Sequence, residues 1–186
     1  MTTTPKVAVI GLGNIGKTIA HNLVKGNRPV ILASRTLADA ISFATELGNL
    51  ATARETKDAI HDADIIVMSV WFNTQHELFE QYSTELNGKI IIDPSNPIAP
   101  DEHGGFKKII GEKESAGQLN AVLLPAGASL VKVFGTLGAA SLDNAAFQSP
   151  EKSVLFYATD QAHTESVVEQ LIKDSGFDAL KVGGLD

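Results

Sequence analysis

A doubly wound α/β fold with a mainly parallel sheet is what this sequence predicts, and three observations predict it. The first is residues 6–35: the apolar run Lys6-Val7-Ala8-Val9-Ile10, then Gly11-Leu12-Gly13-Asn14-Ile15-Gly16, an amphipathic stretch over 15–25, and Pro29-Val30-Ile31-Leu32-Ala33. Strand, glycine loop, helix and strand in this order form the mononucleotide half of a dinucleotide-binding, Rossmann-type fold. The second is Ile65-Ile66-Val67-Met68-Ser69-Val70, a near-continuous apolar run of the kind a parallel strand shows when both its faces are covered. The third is the regular alternation of such runs with helical patterns along the rest of the chain.

Each glycine of the loop has a physical task. Gly11 permits the tight turn off the strand, Gly13 lets the backbone approach a pyrophosphate, and Gly16 lets the helix lie close to the sheet. The helix then offers its free N–H groups and positive end to phosphate.

The tip of the second strand selects the dinucleotide. An NAD site usually carries a carboxylate there for the ribose 2′-hydroxyl. This chain reads Ser34-Arg35-Thr36 instead. A guanidinium fork flanked by two hydroxyls suits the extra phosphate of NADP, although an arginine in that place can also be an ordinary solvated side chain.

The following elements read in order. Residues 37–47 have helical spacing and stop at Gly48; residues 50–53 resemble an edge strand and 56–61 a small helix. The strand at 65–70 ends in Trp71-Phe72-Asn73-Thr74, at the edge where open α/β sheets bind ligands. Val70, Trp71 and Phe72 either line a nicotinamide pocket there or cap the core. A helix over 75–86 stops at Asn87-Gly88, and Lys89-Ile90-Ile91-Ile92-Asp93 is the next strand. Pro94-Ser95-Asn96-Pro97 follows as a stiff loop able to present polar groups.

Residues 98–114 read as a loop or lid near the site, and Ser115 as the cap of a helix reaching about Leu124. Residues 129–134 and 154–158 are strands, and 137–147 carries no clear pattern. Asp160 reads as the cap of a helix ended by Gly176, and 179–182 as a last strand. The expected organisation is one domain over 1–186, with a nucleotide-binding core at 1–125 and a strand-and-helix lobe at 126–186.

Composition narrows the partners. A net charge of −7 and a pI near 5.2 argue against nucleic acid or an anionic membrane. The absence of cysteine removes disulfides, thiol catalysis and thiolate metal sites. No run reaches the ~20 apolar residues of a membrane span. Met1-Thr2-Thr3-Thr4-Pro5 lacks the pattern of a secretory leader, so a cytoplasmic protein is expected.

Several motifs together carry a resemblance: Gly-x-Gly-Asn-x-Gly-Lys at 11–17, Ser34-Arg35-Thr36, Asp93-Pro94-Ser95-Asn96-Pro97, Val131-Lys132-Val133-Phe134 and Gly183-Gly184-Leu185. The chain resembles, over nearly its whole length, the NADP oxidoreductases dependent on the deazaflavin coenzyme F-420 and the related reductase domains of six-transmembrane metalloreductases. The resemblance implies a Rossmann domain with a small lobe, often dimeric, that exchanges hydride between NADPH and a flavin or deazaflavin. It implies pyrophosphate contacts at Gly11, Leu12, Gly13, Asn14 and Ile15, and 2′-phosphate contacts at Ser34, Arg35 and Thr36. Val70, Trp71 and Asn96 would face the nicotinamide. One departure stands out: the family often reads Lys-x-Phe-Asn-Thr where this chain has Lys132-Val133-Phe134-Gly135-Thr136.

Hydride transfer between stacked rings requires alignment and exclusion of water more than a proton-transfer residue. No catalytic acid or base is therefore nominated, nor any metal ligand. The five histidines read as solvated and the carboxylates as scattered solubility charge; Lys132 is the one odd polar residue within a strand, and either has a role of its own or holds an edge or outward-facing position. The expected partners are a small-molecule electron acceptor (FMN or a deazaflavin) and a second copy of the chain. A redox-sensing NADP(H)-binding module and a direct reductase of a small carbonyl or imine are the competing readings. Tyr82 and Tyr157 are not followed by lysine at four residues' distance, which weakens the last.

Overall fold

The computed structural model describes residues 4–186; the leader expectation at Met1-Thr2-Thr3-Thr4-Pro5 therefore falls mostly outside the described residues. In chain order the elements are β1 (Val7–Ile10), α1 (Asn14–Lys25), β2 (Val30–Ala33), α2 (Leu37–Leu47), β3 (Ala51–Ala53), α3 (Thr56–Asp62) and β4 (Ile65–Met68). Then come α4 (Phe72–Gln81), α5 (Ser83–Leu86), β5 (Ile90–Asp93), β6 (Ile98–Pro100), β7 (Phe106–Lys108), α6 (Ala116–Ala121) and β8 (Ser129–Val133). The chain closes with α7 (Ala139–Ala145), β9 (Val154–Ala158), a 3-10 turn (Ala162–Thr164), α8 (Glu165–Asp174) and β10 (Asp178–Gly183).

Eight strands form one sheet in the order β10-β9-β8-β5-β4-β1-β2-β3, and β6-β7 form a separate hairpin. Every neighbouring pair in the large sheet is parallel except β8 with β9. The central strands are apolar at each position because both faces are covered. One face buries Val7, Val9, Val67, Ile92 and Val131 beneath α1, α2 and α8. The other buries Ala8, Ile10, Ile66, Met68 and Ile91 with Phe79 and Leu86 from α4 and α5.

The structure departs from the sequence reading where tertiary contacts override local pattern. The helix expected over 75–86 begins at Phe72, because that ring is driven into the core, and it breaks at Tyr82 into α4 and α5. The loop expected over 98–114 contains the β6–β7 hairpin, whose turn is held by Asp101 Oδ1 accepting from the N–H groups of His103 and Gly105, each at 2.8 Å. Residues 137–147, unassigned from sequence, include α7, anchored by buried Leu142. Asp160 does not cap a helix; it accepts from the N–H of Leu185 at 3.0 Å and so ties down the last residues of the chain. Ser115 does cap α6, and its hydroxyl also donates to the Leu185 carbonyl.

Candidate functional site

Loops leaving the carboxyl ends of β1, β4, β5 and β8 wall a single crevice. It opens where the chain, having run outward from β1 to β3, returns to lay β4 on the other side of β1. That reversal of strand order is where open α/β sheets accept ligands. The crevice has two compartments of about 610 and 700 Å³, which share Gly13, Ser69, Val70 and Trp71 as a common wall.

The glycine loop forms the floor. Gly11 has φ +92°, and a Cβ there would lie 2.3 Å from the Ser69 carbonyl oxygen. A Cβ at Gly16 would lie 1.9 Å from the Gly11 carbonyl oxygen, so this glycine lets α1 close against the loop. Gly13 differs: a Cβ there meets nothing within 4 Å. The protein's own packing does not require glycine at position 13, whereas a ligand lying against that backbone does. α1 starts at Gly13 with no side-chain cap and no acidic residue in its first turn, which leaves its leading N–H groups and positive end to an anion.

Ser34 and Arg35 line the first compartment. The other two arginines of the chain are engaged, Arg28 with Asp174 at 2.9 Å and Arg54 with Asp62 at 3.8 Å. Among the described residues no carboxylate pairs with Arg35. Thr36 is used differently from its neighbours. Its hydroxyl caps α2 by accepting from the Asp39 N–H, and donates to the Asp39 carboxylate at 2.6 Å. Lys17 lies in the same compartment, its Nζ 5.2 Å from the centroid of the Phe43 ring. The sequence offers Lys17 only as the last letter of the glycine motif, and the packing of α1 against α2 is what brings it here.

The second compartment is mostly apolar, with Ile15, Val70, Trp71, Ile98, Phe106 and Leu137 in its wall. Trp71 and Phe72 part company: Phe72 is buried, whereas Trp71 is 56% exposed with its ring centroid 6.3 Å from that of Phe106. Phe106 and Ile98 come from the hairpin, which a sequence reading of that segment as loop could not place. Asn96 donates from Nδ2 to the Gly135 carbonyl at 2.9 Å. A Cβ at Gly135 would sit 2.9 Å from the Pro94 carbonyl oxygen, so the departure from asparagine at this position fits a closer approach of two loops. Phe134, just before it, is buried at φ 68°, a conformation uncommon for a bulky residue.

Beneath this wall is a polar cluster absent from the sequence reading. Asp93 is fully buried at the end of β5 and is not a solubility charge. Its carboxylate accepts from Gln75 Nε2 at 2.9 Å, Asn120 Nδ2 at 2.8 Å, the Ser95 N–H at 2.8 Å and Lys132 Nζ at 3.0 Å. Lys132 is neither at an edge nor directed freely outward: β8 lies between β5 and β9, and Nζ also donates to the Ser95 carbonyl at 2.6 Å. Two histidines are likewise engaged, His76 with Asn120 at 2.8 Å and His163 with Ser129 at 3.2 Å. Among the described residues no group of three His, Cys, Asp or Glu side chains is placed to hold a metal ion, and no helix is long and apolar enough to cross a membrane.

Comparison with known proteins agrees with this architecture. Residues 6–97, from the first strand through the loop after β5, match the model of the family described as NADP oxidoreductase, coenzyme F420-dependent. This chain is a member of that family. Among its relatives is the metalloreductase STEAP3 of Rattus norvegicus, 26% identical over 97% of this chain, which spans about a third (34%) of the relative's length. The F420-dependent NADP reductase of Methanothermobacter marburgensis is 23% identical over 97% of this chain and 85% of the relative. The structure of a hypothetical protein from Sinorhizobium meliloti superposes with a TM-score of 0.86 at 28% identity, covering 97% of this chain and 86% of that one.

Proposed function

We propose that this member of the family is an NADP(H)-dependent oxidoreductase that exchanges hydride between NADPH and a flavin or deazaflavin acceptor. The observation that carries the reading is the divided crevice: a compartment with an unpaired arginine beside a glycine floor opens into an apolar compartment large enough for ring systems. The backbone of Gly11, Leu12, Gly13, Asn14 and Ile15 would hold the pyrophosphate. Ser34 and Arg35 would hold the 2′-phosphate with Lys17 nearby, and Thr36 would act through its cap on α2. Val70, Trp71 and Asn96 would bound the nicotinamide.

The bound coenzyme supplies the hydride. The protein supplies placement, with Ile98, Phe106 and Trp71 forming part of the apolar wall. Hydride transfer between stacked rings whose reactive atoms would lie within about 3.5 Å needs no side-chain base, and none is assigned.

Two further parts of the reading concern organisation. β8, β9 and β10 continue the sheet begun by the first half of the chain, which supports a single domain over 1–186. Val154, Phe156, Leu180 and Val182 leave an exposed apolar strip on one face of the parallel β9–β10 pair, which supports a homodimer. Light scattering should give a dimer that Phe156→Glu converts to monomer.

The test of the activity is stopped-flow oxidation of NADPH with FMN and, separately, with coenzyme F420. Transfer to at least one is expected. If NADPH binds and neither acceptor is reduced, the acceptor assignment fails and the redox-sensing reading replaces it.

A further inference from the structure

We infer that the Asp93–Lys132 ion pair is a positioning device for the reaction compartment, acting through Ser95 and Asn96, and that its role is separable from its contribution to folding. The inference rests on the proposed NADPH-binding function. Asp93 and Lys132 are register partners on the adjacent parallel strands β5 and β8, just below the loops that wall the apolar compartment. The pair grips both polar groups of the Ser95 backbone. The Asp93 carboxylate takes its N–H at 2.8 Å and Lys132 Nζ takes its carbonyl at 2.6 Å. One residue later, Asn96 is tied to the other wall through the Gly135 carbonyl.

The grip extends to the remaining loops. Gln75, at the start of α4, donates to both Asp93 and the Met68 carbonyl at the end of β4, at 2.9 and 2.8 Å. Asn120 of α6 donates to Gln75 Oε1 at 2.7 Å and to Asp93. One buried carboxylate thus ties the ends of β4, β5 and β8 together, and all three carry loops of the crevice.

Two features suggest that stability alone does not account for this arrangement. Replacing a buried ion pair by apolar residues is often neutral or favourable, so a pair built on a fully buried carboxylate has another reason to be there. The residue it holds, Ser95, is itself part of the wall of the apolar compartment, so the grip reaches the site directly. Asp93 and Lys132 hold the lining residue Ser95 but do not themselves line either compartment, so they are positioning residues rather than catalytic ones.

The test uses the neutral double variant Asp93→Asn/Lys132→Met, which avoids leaving one buried charge alone, with Lys132→Arg as the conservative control. The induced circular dichroism of bound NADPH reports how the reduced ring is set in the compartment. The double variant is expected to melt near the wild-type temperature and to bind NADPH within about twofold of wild type. The induced circular dichroism of its bound NADPH should change clearly, and its hydride transfer to FMN should slow by about tenfold or more, since a misplacement of 1 Å can cost ~100-fold. Lys132→Arg should recover most of both. A wild-type dichroism signal of bound NADPH together with a wild-type rate in the double variant would overturn the inference. So would losses of stability, NADPH affinity and rate in equal proportion, which describe a purely structural pair. If wild-type protein binds no NADPH, the functional reading itself falls and this inference with it. If wild type binds NADPH without reducing FMN, the dichroism comparison alone decides the inference.

Discussion

The two compartments of the crevice are assembled in opposite ways. The phosphate side comes chiefly from one continuous stretch, residues 11–46, and depends on backbone geometry: a left-handed glycine, a helix start without a cap and an arginine at a strand tip. The apolar side is gathered from the loops after β4, β5 and β8 together with a hairpin, held in place by a buried carboxylate. A site made from neighbouring residues needs little support beyond the local chain. A site made from remote loops needs a scaffold that fixes them relative to one another, and Asp93 with its four donors provides it.

The largest expected effect breaks the phosphate side outright. Gly16→Ala places a methyl group on the Gly11 carbonyl, so calorimetry should show destabilisation of about 3 kcal/mol and NADPH binding should be lost. Gly13→Ala sharpens the comparison, because a methyl group there meets no protein atom. Its melting temperature should hold while NADPH affinity falls by about tenfold or more; an unchanged affinity would show that no ligand approaches that backbone.

Next in size is Arg35→Glu. It should cost NADPH at least about tenfold in affinity relative to NADH, equivalent to about 1.4 kcal/mol, as measured by parallel titrations. Equal losses for the two coenzymes would remove the arginine from specificity. On the apolar side, Phe106→Ala should raise the KM for FMN about three- to tenfold and leave the NADPH dissociation constant unchanged, because its ring lines only the second compartment.

The smallest effect serves as a control remote from both compartments. Burial and the neighbouring Glu169, which accepts from the Tyr157 hydroxyl at 2.9 Å, push the Tyr157 phenol up to about 12. The folded state therefore favours the protonated phenol. That contribution is complete below the ordinary value of about 10 and is lost as pH rises from there through 12. Alkaline unfolding of Tyr157→Phe should lack this component, with coenzyme binding at neutral pH unaltered.

The same contrast explains what could be read from sequence. Gly11, Gly16 and Arg35 act through their own backbone or their place at a strand end, so spacing alone locates them. The central strands were legible because cover on both faces demands apolar residues throughout. Asp93 looked like any other carboxylate, since nothing near it in the chain shows that Gln75, Asn120 and Lys132 converge on it from three other elements. Phe106 and Ile98 were hidden for a related reason: a short hairpin of three-residue strands has too little periodicity to separate from loop. Thr36 shows a further limit. A hydroxyl next to a phosphate-binding arginine is equally suited to cap the following helix, and only coordinates show which use it has.

The most direct test of the account is calorimetric titration of the unaltered protein with NADPH and with NADH under identical conditions. The account predicts one NADPH per chain, bound at least about tenfold more tightly than NADH. Heat of binding from neither coenzyme, or equal affinity for both, would contradict it.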